Sequence, residues 1–277
     1  MRRRYKEHSM MSKNSYLTVQ IYPEFASFTK SGKRRSNYKP TSDRQKEINE
    51  RNKKLHLIHT CNENFTENDF KVELTYNNEN LPDTIEQAQR DFVNFIRRYN
   101  RLRKKKGLSP AKYFQVLECG KVNGRFHHHC IISGDLDYKE IRDCWGKGIT
   151  RATLLEFNEQ TGIQGLVEYM LKLPIVSNNS KSYKISRNMK KIEPQNYSSR
   201  LWNKDLKNMI TYTDFNVLER LYPEFKICGE PKVLHSDETE NFYIHVQMYK
   251  TLQQRKRGKH YDERILPGEE MQLPKTC

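Results

Sequence analysis

The sequence predicts an α+β protein, and three observations carry that prediction. Phe70–Tyr76 (FKVELTY), Tyr113–Leu117 (YFQVL) and His127–Ile132 (HHHCII) are short β-prone runs, the pattern of strands. The turn-like GKVNG between the last two runs reads as a hairpin connection. Elsewhere apolar residues recur at spacings of three and four, the period of amphipathic helices.

Taken in order, residues 1 to about 66 are polar and lack strong periodicity. Gly32–Pro40 (GKRRSNYKP) reads as a loop or basic arm, and Thr41–Ile58 as a charged helix. The strand Phe70–Tyr76 is followed by the loop NNENLP. Asp83, with Glu86 three residues on, is the expected N-cap of a long helix. Its stripe is Ile85, Ala88, Phe92, Phe95, Tyr99 and Leu102, and it ends in RLRKKKG, cations at the negative end of the helix dipole. After the hairpin come a short helix over Tyr138–Cys144, a turn at Trp145–Gly148 and a strand over Ile149–Phe157. Ile163–Leu173 reads as a helix stopped by Pro174. Beyond a polar linker at Ser177–Lys184, helices are expected over Ser199–Met209 and Asp214–Tyr222, and a strand over Phe242–Tyr249. The expected division is a basic N-terminal arm and helix (1–61), a core (62–176) and a C-terminal extension (177–277).

Composition narrows the function classes. The 277 residues carry a net charge of +16 and 30% charged residues, with no apolar run of membrane-spanning length. Such an excess of cations points to a polyanionic partner. The basic N-terminus is not followed by a signal-peptide apolar core. The six cysteines are irregularly spaced and form no CxxC pair, which reads as reduced thiols in a cytosolic setting. No GxxxxGK[ST] occurs, which excludes a P-loop ATPase or helicase module in this chain.

The chemistry concentrates in Glu118–Ile132, ECGKVNGRFHHHCII. His127 and His129 are two apart on a strand and therefore share a face. If the hairpin sets Glu118 opposite His127, one carboxylate and two imidazoles converge as ligands for a divalent cation with open positions. Cys130 should point to the other face, which disfavours zinc held through cysteine. In IQGLVEYMLKLP, Ile163, Leu166, Val167, Met170 and Leu171 form the apolar face, while Gly165, Tyr169 and Lys172 fall opposite. Tyr169 is the candidate nucleophile, and Lys172 a cation able to favour phenolate or offset charge in the transition state. Arg97, Arg98, Arg101, Arg103, Lys104, Lys105 and Lys106 are expected to hold DNA phosphates beside the histidine site, as is Arg125; a solvated helix face is the plainer alternative for the helix end.

These residues resemble the rolling-circle replication initiators of the HUH endonuclease superfamily, in the flavour of small single-stranded DNA phages and of rolling-circle plasmids from low-GC Gram-positive bacteria. VELTYNNENLP (Val72–Pro82) resembles the first motif, ECGKVNGRFHHHCII carries the His-x-His of the second, and EYMLKL the single-tyrosine third. The resemblance spans about Asn62–Pro174; it departs at the triplet's middle residue, His128, read as packing against the opposite face. It implies a central antiparallel sheet of about five strands flanked by helices, with a ferredoxin/RRM-like core. It also implies Mg²⁺ or Mn²⁺ held by Glu118, His127 and His129, and nicking of single-stranded origin DNA through a 5′-phosphotyrosine at Tyr169, leaving a free 3′-OH. The implied partners are origin DNA and the host helicase and polymerase, in the bacterial cytoplasm and with no membrane. A single-tyrosine HUH transposase or relaxase shares this chemistry; a non-catalytic nucleic-acid-binding protein of the same fold is a further alternative.

Overall fold

The computed structural model describes residues 5–13, 15–23, 43–120, 124–173, 183–198, 200–236 and 241–251. The expected loop at Gly32–Pro40, Pro174, most of the linker at Ser177–Lys184 and the centre of the GKVNG turn lie outside these residues. The elements are β1 (Tyr5–Ser12), β2 (Tyr16–Pro23), α1 (Asp43–Asn64), β3 (Phe70–Thr75), α2 (Ile85–Lys105), β4 (Tyr113–Cys119), β5 (Phe126–Ile132), α3 (Tyr138–Trp145), β6 (Thr150–Leu154) and α4 (Gln164–Lys172). They continue with β7 (Lys184–Ile185), β8 (Gln195–Tyr197), α5 (Asn203–Thr211), α6 (Asn216–Leu221), β9 (Lys226–Ser236) and β10 (Asn241–Tyr249).

The fold is α+β, as expected, but it contains two antiparallel five-stranded sheets. The central sheet has the order β6-β3-β5-β4-β7, and alternation along its strands sorts side chains onto two covered faces. Val72 and Leu74 of β3, with Cys130 and Ile132 of β5, pack under Phe92, Phe95 and Tyr99 of α2 and Ile141 and Trp145 of α3. On the other face Phe114, Val116 and Ile131 pack under Leu57, Ile58, Cys61 and Phe65 of α1 and Val167 and Met170 of α4.

The second sheet, β8-β1-β2-β10-β9, joins the two ends of the chain. Residues 5–23, expected to be an aperiodic arm, form its β1–β2 hairpin, and β10 pairs with β2 from Ile244↔Ile21 to Tyr249↔Tyr16. Leu17, Val19 and Ile21 alternate inward with Ile244, Val246 and Met248 against Leu206, Met209, Phe215 and Leu218. That burial, rather than polarity, decides the local structure. Helix α1 lies between the sheets. Its buried His59 meets the Ser12 hydroxyl at 3.1 Å and the Thr18 hydroxyl at 2.8 Å, and burial lowers its pKa to about 4.

Two boundaries differ from expectation. The cap of α2 is Thr84, not Asp83: its hydroxyl accepts from Gln87 N at 3.2 Å, while the Gln87 side chain accepts from Asp83 N at 3.2 Å. The predicted strand over Ile149–Phe157 shortens to Thr150–Leu154, the length over which it pairs with β3.

Candidate functional site

Strands β4 and β5 pair with Glu118 directly across from His127 and with Val116 across from His129. Glu118, His127 and His129 therefore project to one face of the central sheet, the face covered by α1 and α4. Across the diagonal, His129 Nε2 lies 2.7 Å from Glu118 Oε2. His127 stands beside this pair with a buried Nδ1 that has no hydrogen-bond partner. The three do not close into a ligand cluster: among the described residues no group of three His, Cys, Asp or Glu side chains does so. Their donor chemistry nevertheless fits a hard divalent cation, with one carboxylate, two imidazoles and an unsatisfied ring nitrogen on one surface.

Helix α4 brings Tyr169 to the same place. Val167 and Met170 bury against the sheet, which turns Tyr169 outward, 51% exposed, with its ring centroid 6.4 Å from that of His129. Nothing lies within 4 Å of a side chain that would replace Gly165 one turn back, so the surface in front of the helix is open. Lys172 is exposed at the end of the helix. The cation facing the Tyr169 ring is instead Lys71 of β3, whose Nζ lies 5.9 Å from the ring centroid. On the same face Glu73 pairs across the sheet with His129 and lies 3.7 Å from Arg151 Nη1 of β6. Lys71, Glu73 and Arg151 are not among the sequence-predicted site residues, although the alternation of FKVELT, with Val72 and Leu74 inward, puts Lys71 and Glu73 on the histidine face.

His128 points the other way, as its parity predicts, and is fully buried. The Gln115 side-chain amide donates to its Nδ1 at 3.2 Å, which leaves the proton on Nε2, 2.9 Å from the Tyr76 hydroxyl. Phe92 stacks on the ring and Trp145 meets it edge-on. Burial lowers its pKa to about 3, so this imidazole is neutral at physiological pH.

The basic end of α2 does not sit beside the histidines. The helix packs on the opposite face and ends near the far end of β5, where Tyr99 donates to Ser133 O. His127 and Ser133 are six residues apart, roughly 20 Å of strand. Two of the expected phosphate ligands serve the fold instead. Arg98 donates to Cys144 O at 2.6 Å and Trp145 O at 3.1 Å, closing the end of α3. Arg103 is 4% exposed and donates to the carbonyls of Ser109 and Gly134 and to Asp135. Lys106 pairs with Glu140 at 2.6 Å. Arg97, Arg101, Lys104 and Lys105 remain exposed. Arg125 alone among the expected DNA contacts lies at the histidine end, next to β5, where it donates to the Asn78 side chain.

A cavity of about 590 Å³ lies elsewhere, between α1 and the second sheet, lined by residues including Tyr22, Arg51, His56 and Tyr243. The histidine face is open by comparison, the shape that admits a passing polymer rather than an enclosed small molecule.

Fold and site together define an α+β protein that presents histidines, a carboxylate and a tyrosine on one sheet face. Residues 69–174, from the start of β3 to the end of α4, match a family model of replication-associated proteins of the ORF2 type. That segment places the chain with the replication-associated proteins, consistent with a rolling-circle replication initiator, and DNA is the partner of such a protein. No curated protein and no solved structure matches the chain. Among the described residues no helix is long and apolar enough to cross a membrane.

Proposed function

We propose that the chain initiates rolling-circle replication by nicking single-stranded origin DNA with Tyr169 as the nucleophile. The observation that carries this reading is the Tyr169 ring 6.4 Å from His129, itself 2.7 Å from Glu118, within a segment matching a replication-associated family. Glu118, His127 and His129 would hold Mg²⁺ or Mn²⁺, which when bound polarises the scissile phosphodiester. Tyr169 attacks phosphorus: the bond from Oη to phosphorus forms as the bond from phosphorus to the 3′ oxygen breaks. The phenol gives up its proton and the leaving oxygen gains one, which yields a 5′-phosphotyrosine and a free 3′-OH. One phosphodiester replaces another, so the reverse attack rejoins the strand. Lys172 and Arg125, at the two edges of this surface, contact flanking phosphates.

The test is covalent capture. The protein is incubated with Mn²⁺ and a tiled set of single-stranded oligonucleotides covering the encoding replicon, and the adducts are digested and mapped. A DNA-linked peptide containing Tyr169 is expected, and none from Tyr169→Phe. An adduct on another tyrosine, or none on any oligonucleotide, rejects the reading.

A further inference from the structure

We propose that Lys71, on the strand before the long helix, supplies the ammonium that offsets the growing negative charge on the scissile phosphate. The proposal rests on the reading of Tyr169 as the nucleophile. Lys71 Nζ lies 5.9 Å from the centroid of the Tyr169 ring, whereas Lys172 is exposed on the helix with no ion pair among the described residues. A phosphate brought to the Tyr169 hydroxyl therefore lies within reach of Lys71.

The surroundings leave that charge available. The register partners of Lys71 are Ile131 on one side and Thr153 on the other, neither of which is ionisable. The nearest carboxylate along the strand on this face, Glu73, is turned to Arg151 at 3.7 Å. No carboxylate pairs with Lys71 among the described residues. Its backbone is hydrogen-bonded on both sides, since β3 pairs with β5 and with β6. The ammonium is thus carried by an interior strand, whereas Lys172 is carried by the last residue of a nine-residue helix. A donor on a fixed element loses less energy to reorganisation when charge develops, which is where preorganised electrostatics gains its effect.

The reaction itself is unchanged: phosphorus exchanges its 3′ oxygen for the tyrosine oxygen, and Lys71 keeps its protons throughout. Lys71 contributes to the rate by neutralising non-bridging oxygen charge, and an arginine at this position keeps that function.

The experiment compares single-turnover adduct formation at saturating oligonucleotide and Mn²⁺ for wild type, Lys71→Ala, Lys71→Arg and Lys172→Ala, with oligonucleotide Kd and urea unfolding measured in parallel. Lys71→Ala is expected to form adduct roughly 10²-fold more slowly, with unfolding unchanged and a far smaller change in Kd. Lys71→Arg should recover most of the rate, and Lys172→Ala should lose less than Lys71→Ala. A Lys71→Ala rate equal to wild type overturns the proposal, as does a rate loss matched by the loss in Kd. If wild type itself forms no adduct, the nucleophile reading fails and the proposal fails with it; a wild-type adduct at Tyr169 beside a fast Lys71→Ala rejects Lys71 alone.

Discussion

At the scale of single residues, three consecutive histidines on one strand do two unlike things. His127 and His129 stand on the open face, while His128 is sealed between Phe92, Trp145, Tyr76 and Gln115. Period-two alternation makes this division legible without coordinates, and it makes Glu118 legible too. Lys71 is not legible: it is nearly a hundred residues from Tyr169 in the chain, and only strand pairing makes them neighbours. Removing one ligand tests the metal. His129→Ala should abolish adduct formation and the Mn²⁺ dependence while leaving oligonucleotide Kd within a few-fold, since phosphate contacts elsewhere carry affinity. Adduct formation by His129→Ala at the wild-type rate in EDTA would remove the metal from the account. Arg103 makes the opposite kind of prediction. Arg103→Ala strands the carbonyls of Ser109 and Gly134 in the interior, at a cost of about 3 kcal/mol in urea unfolding; a loss below about 1 kcal/mol would mean that the site relaxes or hydrates.

At the scale of elements, α2 shows what a charge run can and cannot say. Its stripe and its basic end are readable, but the direction in which it crosses the sheet is not, because periodicity gives a face and no position. Its exposed cations lie at the far end of the central sheet from the histidines. Neutralising Arg101, Lys104 and Lys105 should flatten the slope of log K against log salt by about 0.7 per lost single-strand phosphate contact. Adduct formation at saturating DNA should stay at the wild-type rate, and an unaltered slope would assign the helix end to solvent. Helix α1 carries a pH prediction. His59 is neutral in the fold, with a pKa lowered to about 4 by burial. The unfolded chain binds this proton at about 6.5, so stability is intact above that value and falls as the pH drops toward 4. Between pH 7 and 5 this one group should account for about 2 kcal/mol of lost stability. His59→Gln, which cannot titrate, should show a correspondingly smaller difference between urea curves at the two pH values; an equal difference would place the acid sensitivity elsewhere.

At the scale of the whole molecule, the segment that holds the proposed chemistry is bracketed by a sheet it does not own. The hairpin at residues 5–23 reads as an arm because YKEHSMMS is polar, yet the YLTVQIYP that follows does alternate, with Leu17, Val19 and Ile21 inward. The signal is present in one strand and absent in its neighbour, which buries polar groups such as Glu7 and Ser9. Strands β7 and β8 are two and three residues long, too short to show a period, and depend on their partners for definition. Deleting residues 1–23 should therefore do more than trim a terminus. It uncovers Val246 and Met248 and removes the partners of His59, so the fragment 43–251 should aggregate or elute as oligomers although every proposed site residue is retained. A monodisperse fragment with wild-type melting behaviour would show that the second sheet is dispensable.

The position of β10 between β2 and β9 also sets a schedule for the ribosome. The hairpin emerges among the first residues made, while the strand that completes its sheet is among the last described ones. At 5–20 residues per second the hairpin waits on the order of 10–40 s for its neighbour. During that interval its hydrogen-bonding edge is bare, an invitation to pair with the hairpin of another nascent chain on the same message. The central sheet needs nothing synthesised after β7 to complete its strands. Translation speed downstream of residue 185 should therefore govern the yield of native protein more than it governs the assembly of the histidine face.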